Sequence, residues 1–226
     1  MPGLSVDRNA RWNSSRPLTT STRAGWQSST RNSAPESSLP RYIAFLRAIN
    51  VGGRTVKMES LARLFRELEF QAVETFIASG NVIFTSSCED PRKLESLIEE
   101  HLQRSLGFEV KTFLRTTAEV AAIARCEAIA SLRRESAIAV NVAFLTEPLN
   151  PDAEVTLMAL RTEIDDFHVR GREVYWLCQK KQSESKFSNA VFEKALKVRA
   201  TFRGLNTVWR LAERYANPEK SLRRTI

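Results

Sequence analysis

At 226 residues and 25.6 kDa, with 42% hydrophobic residues, the chain has enough apolar surface for one large core or two small ones. No apolar run approaches the roughly 18 residues that a spanning helix needs, and Cys88, Cys126 and Cys178 are odd in number, far apart and without a CxxC pair, which favours reduced thiols in a cytoplasmic setting over a disulfide framework or a zinc site. The net charge of +8 resolves into +3 for residues 1–40, +6 for 197–226 and −1 for 41–196, so the basic character belongs to the two ends of the chain and does not by itself imply a nucleic-acid partner.

Residues 1–39 are rich in Ser, Thr, Arg and Asn and show no apolar period. They read as a disordered extension, with a transit peptide or a start placed too early as alternatives. From Tyr42 the pattern becomes regular. Tyr42 to Arg47 is a nearly continuous apolar strand, and after a glycine loop Met58, Leu61, Phe65 and Leu68 recur at helical spacing. Val73 to Ala78 and Val82 to Thr85 form a predicted hairpin around Ser79, Gly80 and Asn81. Asp90-Pro91 then starts a helix whose apolar face includes His101, read as a packed core histidine; Gly107 ends it, and Glu109 to Leu114 is the closing strand.

That order, β-α-β-β-α-β, is the ferredoxin-like arrangement. The second half repeats it. Thr116 and Glu119 form a capping box for a connecting helix through Cys126, and Ile138 to Leu145 is a second buried strand. Asn150-Pro151 opens a helix along Val155 and Met158, and Phe167 to Val169 pairs with Val174 to Leu177. A helix through Phe187 and Val198, a short strand from Ala200 to Arg203, and a final helix capped by Asn206 complete the set.

The expected class is therefore α+β: two tandem ferredoxin-like (βαββαβ) subdomains with antiparallel sheets, spanning 40–115 and 137–216. A connecting helix lies at 116–136 and a basic tail at 217–226. The two halves share almost no residue identity, so the duplication rests on element order. Both central strands are apolar on both alternating sets, which predicts cover on both faces, from the other subdomain or from a second chain as a homodimer.

Three segments carry chemistry. Arg47, Asn50, Gly52, Gly53, Arg54 and Lys57 surround a strand-to-helix loop in which glycines permit an anion nest and basic side chains add charge; the bland reading is a loop that needs glycine for its geometry. Neither GxxxxGK[ST] nor GxGxxG is present. Ser79, Gly80 and Asn81 offer hydroxyl, amide and exposed backbone, or only a turn. Thr201, Arg203, Asn206 and Thr207 lie ahead of or within the start of a helix, where the dipole favours anions; the bland reading is a capped helix with a solvated basic face. His101 and His168 have no evident partners for a nucleophilic triad, and neighbouring Asp165 and Asp166 face opposite ways on an extended chain.

The blocks LRAINVGG (46–53), KMESLARLF (57–65), FIASGNVIF (76–84) and ATFRGLNTVWRL (200–211) resemble the domain-of-unknown-function 1697 family, mostly bacterial, over about residues 40–216. The resemblance implies two ferredoxin-like parts. It carries over Arg47, Asn50, Gly52, Gly53, Lys57, Ser79, Gly80, Asn81, Thr201, Arg203, Asn206 and Thr207 as candidates. The chain departs from the family pattern at Ala48 and Glu69, where glycine is frequent, and at Gly204-Leu205, where the family has an Asn-Trp pair.

The leading expectation is a cytoplasmic protein that binds an anionic ligand, a nucleotide or nucleic acid, between the Gly52-Gly53 loop and the Thr201–Thr207 segment, without membrane association or cofactor. Two alternatives are an enzyme on a small phosphorylated or carboxylated substrate, with Asn50, Ser79 and Asn81 as positioners, and a homodimeric assembly protein without catalysis.

Overall fold

The computed structural model describes residues 39–50, 53, 55–127, 129 and 139–216. Gly52, Arg54 and Ile138 lie outside the described residues, as do the extension up to residue 38, most of the segment expected as a connecting helix beyond Cys126, and the tail at 217–226. The first half runs β1 (Arg41–Leu46), α1 (Met58–Arg66), β2 (Gln71–Phe76), β3 (Asn81–Thr85), α2 (Pro91–Leu106) and β4 (Thr112–Thr116). After α3 (Thr117–Ala124) come β5 (Ala139–Phe144), α4 (Pro151–Met158), β6 (Asp165–Arg170), β7 (Glu173–Cys178), α5 (Asn189–Leu196), β8 (Thr201–Gly204) and α6 (Leu205–Tyr215). These strands make two four-stranded antiparallel sheets, ordered β2-β3-β1-β4 and β6-β7-β5-β8, in a mixed α+β architecture.

Local chemistry sets most of the boundaries. Asp90 accepts from the N–H groups of Arg92 and Lys93, Pro91 occupies the first helical position, and Gly107 ends α2 at φ 77°. Thr116 and Glu119 form the reciprocal capping box of α3, while Asn150 and Ser188 cap α4 and α5. Four expectations shift. β4 begins at Thr112 rather than Glu109. α6 begins at Leu205, so Gly204 is its N-cap and Asn206 lies inside the first turn. Val155 is 72% exposed on α4, outside its apolar stripe. His101 is not packed in the core but sits at the edge of α2, with Nε2 3.2 Å from Glu67 Oε2.

Alternation along β1 and β5 divides the interior into three cores. Tyr42, Ala44 and Leu46 face α1 and α2; Ala143 and Leu145 pack with residues of α4 and α5. Ile43 and Phe45 meet Val142 and Phe144 in a central core closed by Val120 and Ile123 of α3 and Val208 and Leu211 of α6. Both faces of each central strand are thus covered within the chain, which accounts for the doubly apolar strands without a second copy. At the centre the Phe45 and Phe144 rings stack with centroids 3.9 Å apart. Each such buried aromatic contributes about 1.5–3 kcal/mol through removal from water.

Two buried arginines join the sheets reciprocally. Arg203 of β8, 7% exposed, donates from Nε to Asn81 Oδ1 (2.7 Å), from Nη1 to Thr201 Oγ1 and the Phe202 carbonyl (both 2.8 Å), and from Nη2 to the carbonyls of Leu46 (2.9 Å) and Gly80 (3.3 Å). All five of its N–H donors are used. Arg115 of β4, 1% exposed, mirrors it: Nε to Glu173 Oε1 (2.6 Å), Nη1 to the Leu114 carbonyl (2.7 Å), Nη2 to the carbonyls of Leu145 (2.8 Å) and Arg172 (3.2 Å). Each arginine reaches the end of the other half's central strand and its hairpin turn, and each guanidinium lies over a ring of the stacked pair, Arg115 5.6 Å from Phe144 and Arg203 5.8 Å from Phe45. A correspondence invisible in sequence identity is therefore present contact by contact.

The two places where the chain lacks the glycine of its resembled family hold left-handed backbone: Ala48 and Glu69 both have φ 60°. A Cβ there carries steric cost that glycine avoids. Ala48→Gly and Glu69→Gly are each expected to stabilise the fold by about 0.5–1 kcal/mol in urea unfolding. Arg203→Met, which removes five hydrogen bonds from the inter-sheet core and leaves the buried Asn81 Oδ1 without its donor, is expected to cost about 3–5 kcal/mol in the same measurement, whereas Arg63→Ala, on the surface of α1, costs under about 0.5 kcal/mol.

Candidate functional site

The structure brings seven of the sequence candidates together around the end of β1 and turns most of their polar groups inward. Arg47 grips Glu193 of α5 through two hydrogen bonds, Nε to Oε1 at 2.7 Å and Nη2 to Oε2 at 2.6 Å, and Glu193 Oε1 also accepts from the Ala200 N–H. This hydrogen bond is the main reason the Arg47 pKa is raised. Asn50 stitches its loop to the hairpin, donating to the Ala78 carbonyl and accepting from the Val56 N–H. Asn81 is fully buried; its Nδ2 donates to Ser79 Oγ and the Phe76 carbonyl, while its Oδ1 takes the Arg203 hydrogen bond. Gly80 stands at φ 72°, and a Cβ there would come within 2.5 Å of Ile49 Cγ2, so glycine is required by close approach as well as by conformation. Thr201 is buried beside Arg203.

The guanidinium of Arg203 is pushed down to about 10 by burial and still carries its charge at neutral pH, against neutral acceptors. The enzymatic alternative asked for Asn50, Ser79 and Asn81 near one another. They are close, with their amide and hydroxyl groups taken by the turn itself. Gly53 at φ 80° and Lys57 remain exposed on the loop.

Asn206 and Thr207 lie elsewhere. β8 runs antiparallel to β5 with Thr201 opposite Phe144 and Gly204 opposite Asn141, which places the start of α6 at the far end of the strand from Thr201. There Asn141, Lys181, Gln182, Gly204, Leu205 and Asn206 line a cavity of about 400 Å³. α6 enters it with no side chain capping its first turn and no acidic residue there, so its positive dipole end is not compensated by its own residues. Asn141 contributes a buried Nδ2 without a hydrogen-bond partner among the described residues.

The opposite wall is held by Asp165. Its carboxylate accepts from Trp176 Nε1 (2.7 Å), Thr162 Oγ1 (3.0 Å) and Ser185 Oγ (2.8 and 2.9 Å), fixing the short 3₁₀ turn at Gln182–Glu184 that follows Lys181. Sequence reasoning missed Asn141 and Lys181. The available signal was the single amide interrupting the apolar run from Ala139 to Phe144. Among the described residues no group of three His, Cys, Asp or Glu is placed to hold a metal ion, and no helix is long and apolar enough to cross a membrane.

The family model described as "Protein of unknown function (DUF1697)" matches residues 39–175, ending before Lys181, Gly204 and Asn206. No curated protein matches the sequence. Among solved structures, that of a conserved bacterial protein from Streptococcus pneumoniae is similar, with a TM-score of 0.62 and 26% identity over 78% of this chain and 98% of the other. The family blocks read in the sequence thus coincide with a match across more than half of the chain, and the protein belongs to the family of unknown function DUF1697.

Proposed function

We propose that the protein binds a small anionic ligand, a nucleotide or another phosphate-bearing metabolite, in the cleft between β5, the Lys181–Gln182 turn and the start of α6. The observation that carries this reading is the unpartnered, buried Nδ2 of Asn141 on the wall of a cavity that also receives an uncapped helix N-terminus. An amide donor, first-turn N–H groups and the Lys181 ammonium are the donor set that an oxyanion takes. The reading moves the site away from Arg47 and Arg203, whose donors are held by protein acceptors, and keeps Asn206 and Thr207.

The same reading takes the chain as two tandem ferredoxin-like subdomains, 40–115 and 137–216. It is supported by the β-α-β-β-α-β order of each half and the matching strand orders β2-β3-β1-β4 and β6-β7-β5-β8. A cytoplasmic setting suits the three free cysteines.

Calorimetric titration of the full chain with a panel of nucleotides and sugar phosphates tests the site. At least one should bind, and Asn141→Ala and Lys181→Ala should each weaken it about tenfold or more, the scale of one hydrogen bond to a charged group. Affinity unchanged in both variants, or silence across the panel, would remove the site. Binding only to an RNA oligomer, with a steep loss of affinity in salt, would replace the small ligand with a polyanion.

A further inference from the structure

A second cavity lies on the other face of the β6–β7 ribbon, against α3. Ala122, Arg125, Cys126, Glu127, His168 and Arg170 line about 410 Å³, and an adjoining space of about 110 Å³ shares Ala122 and Arg170 and reaches Tyr175, so the two form one groove. Arg47, Arg92, Arg115 and Arg172 each hold a carboxylate. Arg125 and Arg170, both exposed, line the groove with no carboxylate within ion-pair distance among the described residues, as is also true of Arg66, Arg199 and Arg210 elsewhere. The acids at its inner end are already matched: Glu119 by Arg172 and the Thr116 N–H, Glu173 by Arg115. Among the described lining residues Glu127 is the acid left beside the two arginines.

The end of α3 would ordinarily repel an anion through its free carbonyls. Here three of the last four are occupied, the Ala122 carbonyl on the groove not among them. The Ala121 carbonyl accepts from the Arg125 N–H, the Ile123 carbonyl from the Tyr175 hydroxyl (3.1 Å), and the Ala124 carbonyl from Trp209 Nε1 (2.7 Å). Burial, first of all, raises the Tyr175 pKa far above its ordinary value, so the hydroxyl stays protonated and keeps donating to that carbonyl. The Cys126 thiol stands beside the Arg170 guanidinium without adding a carboxylate. His168, half-buried on β6, offers a ring nitrogen on the same wall.

We propose that this groove is a binding site for a compact dianion of the phosphate monoester class, held between the planar forks of Arg125 and Arg170 with His168 beside them. Two guanidinium groups without carboxylate partners, lining one cavity, favour a doubly charged oxyanion over a neutral or cationic ligand. The site is distinct from the α6 cleft and shares no residue with it.

Titration of the full chain with glycerol phosphate, inorganic phosphate and succinate separates the outcomes. Glycerol phosphate should bind, with inorganic phosphate comparable if the phosphoryl group alone is recognised and weaker if the groove also holds the organic part; succinate should be weaker than either. Arg125→Ala and Arg170→Ala should each weaken about tenfold the binding that persists in Lys181→Ala, the double substitution should abolish it, and Arg63→Ala, on the surface of α1, should leave it unchanged. Arg170→Lys, which keeps charge and stem but loses the fork, should fall between, and unaltered melting temperatures show that each variant is folded. The proposal is overturned if the double variant binds as the unsubstituted chain does, if binding is lost in Lys181→Ala instead, if succinate binds best, or if no probe binds.

Discussion

The fold depends on how two sheets, each with an apolar central strand, close over one another. Face-to-face packing of Phe45 on Phe144 removes the centre from water, but it leaves the carbonyls at the ends of β1 and β5, those of Leu46 and Leu145, pointing into the joint beside hairpin-turn carbonyls that already accept from the Leu46 and Leu145 N–H groups. Buried carbonyls without donors cost about as much as the packing gains. Arg115 and Arg203 resolve this by sending a planar, multi-donor group from each half into the other. Only a guanidinium has enough donors in one plane to satisfy four or five acceptors at once. The two sites differ at two points: Arg115 meets the carboxylate of Glu173 where Arg203 meets the amide of Asn81, and Arg203 also donates to the Thr201 hydroxyl.

This arrangement changes what the Gly loop and the Ser-Gly-Asn hairpin mean. Asn81 orients Arg203, Ser79 orients Asn81, Asn50 ties the loop to the hairpin, and Arg47 ties it to Glu193. Arg47, Asn50, Ser79, Asn81 and Arg203, candidates for ligand contact in the sequence, form a polar seam that fixes the first half on the second. Polar capacity not absorbed by the seam remains at two other places, the uncapped start of α6 with Asn141 and Lys181, and the α3 groove with Arg125 and Arg170.

Much of this was legible in the residues. Helix caps at Asp90, Thr116 and Asn150 announce themselves because the interaction is local, and the doubly apolar strands foretold cover on both faces. Ala48 and Glu69 stood out only as departures from the family pattern, and their left-handed backbone became evident in the structure. The burial of Arg203 was not legible because its partners across the joint, Asn81, Leu46 and Gly80, lie more than a hundred residues away and are neutral. The start of α6 was misplaced because glycine caps by default of a side chain, while Asn206 looks like a cap and is not one. Asn141 escaped notice within an apolar strand, where one amide attracts less attention than a run of charge.

The central claim is that reciprocal arginines and stacked rings make the two sheets one cooperative body. Native-state amide hydrogen exchange, read at Phe45 of β1 and Phe144 of β5 as urea is raised, tests it most directly. The account predicts that the two amides share one opening free energy and merge into the same global unfolding transition. Separate isotherms, with one sheet opening while the other stays protected, would contradict it.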